Sequence, residues 1–198
     1  MPHIHLQEDL PGIRGLFAFR LDTARPLSRL AQILMHDSNT LSRADRELIA
    51  TYVSSLNDCY YCQTAHGSLA AEYLNGDESL VRQVKQDPQS APISDKLRAL
   101  LTIAGKVQQG GKNVTADDVA RARSYGATDI EIHDTVLIAA AFCMYNRYVD
   151  GLATSAPRDE GGYRQRAAGV VSNGYMKLVD DLEAAAAAAT HRERPPLT

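Results

Sequence analysis

Nowhere in this 198-residue chain do Val, Ile and aromatic residues alternate with polar ones for long enough to make a half-buried strand, whereas Ala (28) and Leu (21) supply a quarter of its positions. Ala and Leu lose little on entering a helix, so the pattern predicts an all-α fold. The longest apolar run, residues 136–145, is ten residues long. That is well short of the ~20 a membrane span needs and suits a buried helix.

A hydrophobic fraction of 44% with 23% charged residues is the balance of a globular protein with a real core. The net charge of -3 argues against nucleic acid as a partner, because phosphate binding calls for a basic excess on one face. The opening MPHIHLQEDLPG has no basic region followed by an apolar one, so the expectation is a cytoplasmic protein with no membrane partner. Three cysteines do not make a secreted disulfide framework. Two of them stand as Cys59-Tyr60-Tyr61-Cys62, a spacing that in the cytosol reads as redox or metal chemistry.

Turn and capping residues divide the chain. Residues 1–25, with Pro11-Gly12 and Gly15, read as an irregular arm, and residues 26–190 as one helical domain. Within it, Pro26 opens a helix to about Met35, Ser42 caps one to Asn57, and Cys59 begins one that stops at Asn75-Gly76. A short helix over residues 77–86 follows. Ser94 and Thr115 cap two more, and Asp129 starts the most apolar helix, to about Thr154. Gly161-Gly162 marks a break, residues 173–190 are helical, and residues 191–198 read as a disordered tail.

Shifted by 84 residues, Asp45, Glu47, Thr51, Cys59, Tyr61 and Gly67 fall on Asp129, Glu131, Thr135, Cys143, Tyr145 and Gly151. The echo is read as a duplicated helix pair, around residues 42–74 and 126–154. The second copy has Asn146 in place of Cys62 and Asp150 in place of His66.

At 100° per residue, Cys59, Cys62, His66, Leu69, Ala70 and Tyr73 share about a quarter of a helix circumference. Both thiols and the imidazole therefore lie on one face. Cys59 sits at the helix start, where unpaired N–H groups favour a thiolate. His66, one turn beyond Cys62, is spaced to relay a proton, and Glu47 on the preceding helix is placed to orient it. Glu47 carries a second reading. It points away from the stripe of Leu48, Ile49, Tyr52, Val53 and Leu56, as a solvated carboxylate would. Alternatively, Ala50, Thr51 and Ser54 beside it let a second helix approach and bury it. The cysteines also admit two plainer readings, an inert buried pair or a zinc site completed by His66 and Glu47. Cys143 reads as a core residue, and Arg147 with Asp150 as a structural ion pair.

Glu47, Cys59, Cys62 and His66 resemble the Glu…Cys-x-x-Cys-x-x-x-His signature of AhpD-like alkylhydroperoxidases, within the carboxymuconolactone decarboxylase superfamily. The surrounding LSRADRELIATYVSSLNDCYYCQTAHGSLAAEYL is more similar still to an uncharacterised peroxidase-related branch, over about residues 11 to 154. The resemblance implies an AhpD-like helical bundle that assembles as a homo-oligomer, a trimer or hexamer. It implies that Cys62 attacks a hydroperoxide and becomes a sulfenic acid, that Cys59 resolves it to a disulfide, and that His66 and Glu47 relay the proton. A departure is Tyr61, where the best-known members place a histidine before the second cysteine.

The expectation is thus a thiol-dependent peroxide reductase without cofactor or metal, served by an unidentified dithiol reductant of lipoyl or thioredoxin-like type. Two alternatives stand beside it. One is decarboxylation of a lactone acid; the other is a zinc-binding or redox-sensing module without turnover.

Overall fold

A computed structural model of the chain describes residues 1–6 and 10–192. Its helices are α1 (Ile13–Phe19), α2 (Leu21–Ala31), α3 (Arg43–Leu56), α4 (Tyr60–Tyr73), α5 (Glu78–Gln86), α6 (Asp95–Gln109), α7 (Ala116–Ser124), α8 (Asp129–Gly151), α9 (Gly161–Asn173) and α10 (Lys177–Arg192). No strand occurs among the described residues. The fold is all-α, as the composition requires.

The predicted starts are set by side-chain caps. Ser42 Oγ accepts from the Asp45 N–H at 3.0 Å, Asp77 from Leu80 at 2.9 Å, and Ser94 from Leu97 at 3.2 Å. Thr115 with Asp118, and Thr128 with Glu131, form capping boxes that open α7 and α8. Each cap contributes about 1 kcal/mol by satisfying an N–H that the helix leaves unpaired.

The ends of the chain depart from the sequence reading. The stretch expected as an irregular arm holds α1 and the first half of α2, because Leu16, Phe17 and Ala24 are buried there. Pro26 lies inside α2 rather than at its first turn. Arg25 anchors that turn, pairing with Asp180 at 2.7 Å and Glu183 at 2.5 Å on α10. Past Ala31 the chain continues as a π-helical turn, Gln32–His36, whose end is held by buried Arg46. Arg46 Nη1 donates to the Leu34 and Asp37 carbonyls at 2.9 and 3.0 Å. Gly161-Gly162, expected as a break, opens α9, which is fixed by burial of Tyr163 and Ala167. The break falls instead at Gly174, whose φ of 75° ends α9 before α10 begins. Of the expected disordered tail, His191 and Arg192 fall in α10, and residues 193–198 lie outside the described residues.

The helix pair does not recur as a pair. Residues 43–73 form two helices about a tight turn in which Asp58 has φ 55°, whereas α8 runs unbroken over the echoed stretch. α3 is the central element, packed against α4, α6 and α8, while α9 covers α4. The main core joins Leu48, Ile49 and Val53 to Leu100, Leu101, Ile103, Ile138 and Phe142. A smaller apolar cluster holds Leu16, Cys59, Tyr61, Cys62, Val149 and Tyr163. The dithiol therefore sits between α1, α4, α8 and α9, beside the core rather than within it.

Candidate active site

Glu47 takes the buried alternative. Its residue is 0% exposed although it faces away from the apolar stripe of α3. The small face of α3 receives α4, and Gly67 permits the approach: a Cβ there would lie 3.6 Å from Thr51 Cγ2 and 3.3 Å from Val81 Cγ1. The Glu47 carboxylate is then brought to His66, with Oε2 2.8 Å from Nδ1. With Nδ1–H donating to that carboxylate, Nε2 of the neutral ring is left as the proton acceptor. Phe142 of α8 packs edge-on against His66 at a centroid separation of 4.5 Å and so fixes the plane of the imidazole.

A further residue completes the group. Tyr175, in the break between α9 and α10, donates its hydroxyl to Glu47 Oε1 at 2.5 Å and lies 3.4 Å from His66 Nδ1. Its ring is stacked with the imidazole, centroids 6.1 Å apart. Burial and the adjoining Glu47 carboxylate push the Tyr175 hydroxyl well above its ordinary value. It therefore remains a donor throughout the physiological range. Sequence reading places Tyr175 within a helix and misses it; the Asn173-Gly174 pair, a helix-stop signal, is the clue that frees it.

The two thiols are inequivalent. Cys59 is the N-cap of α4 and 0% exposed, while Cys62 is 5% exposed. The helix-start effect on Cys59 is present, since the Cys62 N–H draws its thiol down. It loses. The Cys62 sulfur, hydrogen-bonded to it, and then burial push the Cys59 thiol far up. The helix-start effect on Cys59 is thus opposed by its surroundings. The Asp150 carboxylate also accepts from the Cys59 thiol, while burial pushes that carboxyl up.

Cys62 and His66 open onto a cavity of 340 Å³, and Cys59 does not line it. The volume lies within the ~300–1,000 Å³ of small-molecule sites. Ile13, Phe17, Leu27, Leu69, Phe142 and Val149 give the wall its apolar character, with Tyr175 and Arg166 among its polar members. Among the described residues, no three His, Cys, Asp or Glu side chains group as metal ligands, so Cys59, Cys62, His66 and Glu47 do not converge as a zinc set. Cys143 is only partly buried, its sulfur 3.6 Å from Asn57 Nδ2. Arg147 does not pair with Asp150; it donates to the Cys143 carbonyl at 2.8 Å. The echoed second copy instead buttresses the first: Asn146 accepts from Asn57 at 2.8 Å and donates to Ser54 Oγ at 3.1 Å.

Residues 22–81, which include Glu47, Cys59, Cys62 and His66, match the carboxymuconolactone decarboxylase family. The match spans the segment that carries α2 to α5 and is a similarity of that segment to the family. Several solved structures share its fold. One is described as an uncharacterized peroxidase-related protein from Silicibacter sp. TM1040, 28% identical, with a TM-score of 0.70, covering 78% of each chain. Another, from Ralstonia eutropha JMP134, is described as an alkylhydroperoxidase AhpD core and an uncharacterized peroxidase-related protein. It is 27% identical with a TM-score of 0.71, over 78% of this chain and 79% of that one. No curated protein matches the chain. The family match of the carboxymuconolactone decarboxylases ends before Phe142, Arg166 and Tyr175. Those side chains reach the site from the carboxy-terminal half.

Proposed function

We propose that this protein is a thiol-dependent hydroperoxide reductase that cycles Cys59 and Cys62 between dithiol and disulfide. The observation that carries the reading is the position of Cys62 on the cavity wall, one helical turn from an imidazole whose far nitrogen is bonded to a buried carboxylate. His66 takes the Cys62 proton, and the thiolate attacks the outer peroxide oxygen. The O–O bond breaks, Cys62 becomes a sulfenic acid, and the alkoxide leaves as the alcohol with the proton from His66. Cys59 then condenses with the sulfenic acid, releasing water and forming the disulfide. An external dithiol of lipoyl or thioredoxin-like type restores the pair. The peroxidase-related descriptions of the two similar structures agree with this chemistry. Steady-state consumption of cumene hydroperoxide with dithiothreitol tests it: the wild-type protein turns over, Cys62→Ser does not, and equal rates would remove the assignment.

The family's name supports a second reading, decarboxylation of a lactone acid. Such a reaction has no need of the dithiol. Release of carbon dioxide from a carboxylated muconolactone by the Cys59→Ser/Cys62→Ser protein would favour it.

A further inference from the structure

Three buried side-chain polar atoms among the described residues lack a hydrogen-bond partner: Ser28 Oγ, Thr51 Oγ1 and Arg166 Nη2. Thr51 belongs to the α3–α4 contact. Ser28 and Arg166 both line the cavity that holds Cys62 and His66. An unsatisfied buried donor costs about 1–3 kcal/mol, and more when it is charged. A guanidinium N–H left in that state favours a ligand oxygen beside it. Arg166 lies with its Cζ 4.7 Å from the centroid of the Tyr163 ring, which restrains the guanidinium plane without neutralising its charge. Lys177, another cation of the lining, is already neutralised by Asp181 at 2.5 and 2.6 Å.

The cavity thus combines an apolar wall, a buried guanidinium N–H without a partner on Arg166, a further guanidinium on Arg14 in the lining, and a reactive thiol position. We propose that its substrate is an organic hydroperoxide with a hydrocarbon body and a carboxylate end. This rests on the peroxidase reading above and adds the substrate class. The carboxylate pairs with Arg166, whose planar donors match two carboxylate oxygens. Hydrocarbon fills the space between Phe17, Leu27 and Leu69, and the peroxide group meets Cys62. Attack by the Cys62 thiolate breaks the O–O bond and reduces the hydroperoxide to the hydroxy acid. The sulfur is oxidised to sulfenic acid, and His66 supplies the proton taken up by the leaving alkoxide. Ser28 Oγ offers the bound molecule a second hydrogen-bonding partner.

The test compares linoleic acid hydroperoxide with its methyl ester as substrates, with dithiothreitol as reductant. The wild-type protein favours the acid by about tenfold or more in kcat/KM, the scale of one charge-assisted hydrogen bond. In Arg166→Gln that ratio falls toward one. Equal use of acid and ester by the wild-type protein overturns the proposal, as does a ratio that Arg166→Gln leaves unchanged. Titration of the reduced wild-type protein with decanoate and with decanol, followed by calorimetry, separates this from a failure of the peroxidase reading. Tighter binding of decanoate, without turnover of any hydroperoxide, would keep the anionic site and remove the peroxide chemistry. Equal or absent binding of both, in a protein without turnover, would remove the site as well.

Discussion

Tyr175 and Glu47, 128 residues apart in sequence, meet through a hydroxyl-to-carboxylate hydrogen bond of 2.5 Å. The same carboxylate holds His66 through its other oxygen. A buried anion is thereby shared between two donors, one of which is the ring proposed to carry the proton.

Removing the Tyr175 hydroxyl leaves Glu47 with His66 as its remaining side-chain partner. The less stabilised carboxylate pulls harder on Nδ1–H and makes Nε2 more basic. In Tyr175→Phe the acid limb of the peroxide-reduction rate therefore moves to higher pH. The melting temperature also falls, since a lost partner to a buried charged group costs about 1–3 kcal/mol. A purely structural tyrosine would lower the melting temperature and leave the pH profile where it was.

His66→Ala deletes the proton acceptor beside Cys62. The expected loss in peroxide reduction is about 10²–10⁴-fold, the usual contribution of a positioned acid–base group. The pH midpoint for alkylation of Cys62 rises in the same variant. An alkylation profile identical to the wild type would exclude the imidazole from the relay.

The unequal burial of the thiols gives them separate signatures. Cys59→Ser reduces one equivalent of hydroperoxide and stops, with the sulfenic acid on Cys62 open to trapping by dimedone and to further oxidation. Trapping at residue 59 in Cys62→Ser would reverse the roles.

Acid stability has a local source at the α6–α7 contact. Lys106 Nζ donates to the Asp118 oxygens at 2.7 and 2.6 Å, and the Thr115 N–H and hydroxyl add donations at 2.8 and 2.7 Å. These partners, Lys106 foremost, hold the Asp118 carboxyl down to about 2. Because the folded value lies below the unfolded one of about 3.9, the contribution is whole above that value. It is lost as pH falls through the folded value. Asp118→Asn should flatten the decline in urea-unfolding stability between about pH 4 and 2, and an unaltered slope would show that other carboxylates govern it.

Sequence carried the site as far as a single helix could. The 59–62–66 spacing places two thiols and an imidazole on one face because they share α4, and the caps at Ser42, Ser94 and Thr115 mark helix starts through local hydrogen bonds. What lay between elements was less legible. The burial of Glu47 depends on how closely α4 can approach at Gly67, which the periodicity of α3 does not record. Tyr175 reaches Glu47 only because the chain turns at Gly174, and a helix drawn across that point conceals it. The helix-start effect on Cys59 is legible from its place before α4, while the burial that opposes it comes from packing.

Whether Cys59 and Cys62 form one redox pair is decided by intact mass spectrometry of the reduced protein before and after one equivalent of cumene hydroperoxide. A redox pair loses about 2 Da, the two thiol hydrogens, and the loss maps to the peptide that contains both residues. An unchanged mass, or a disulfide that involves Cys143, would contradict the pairing.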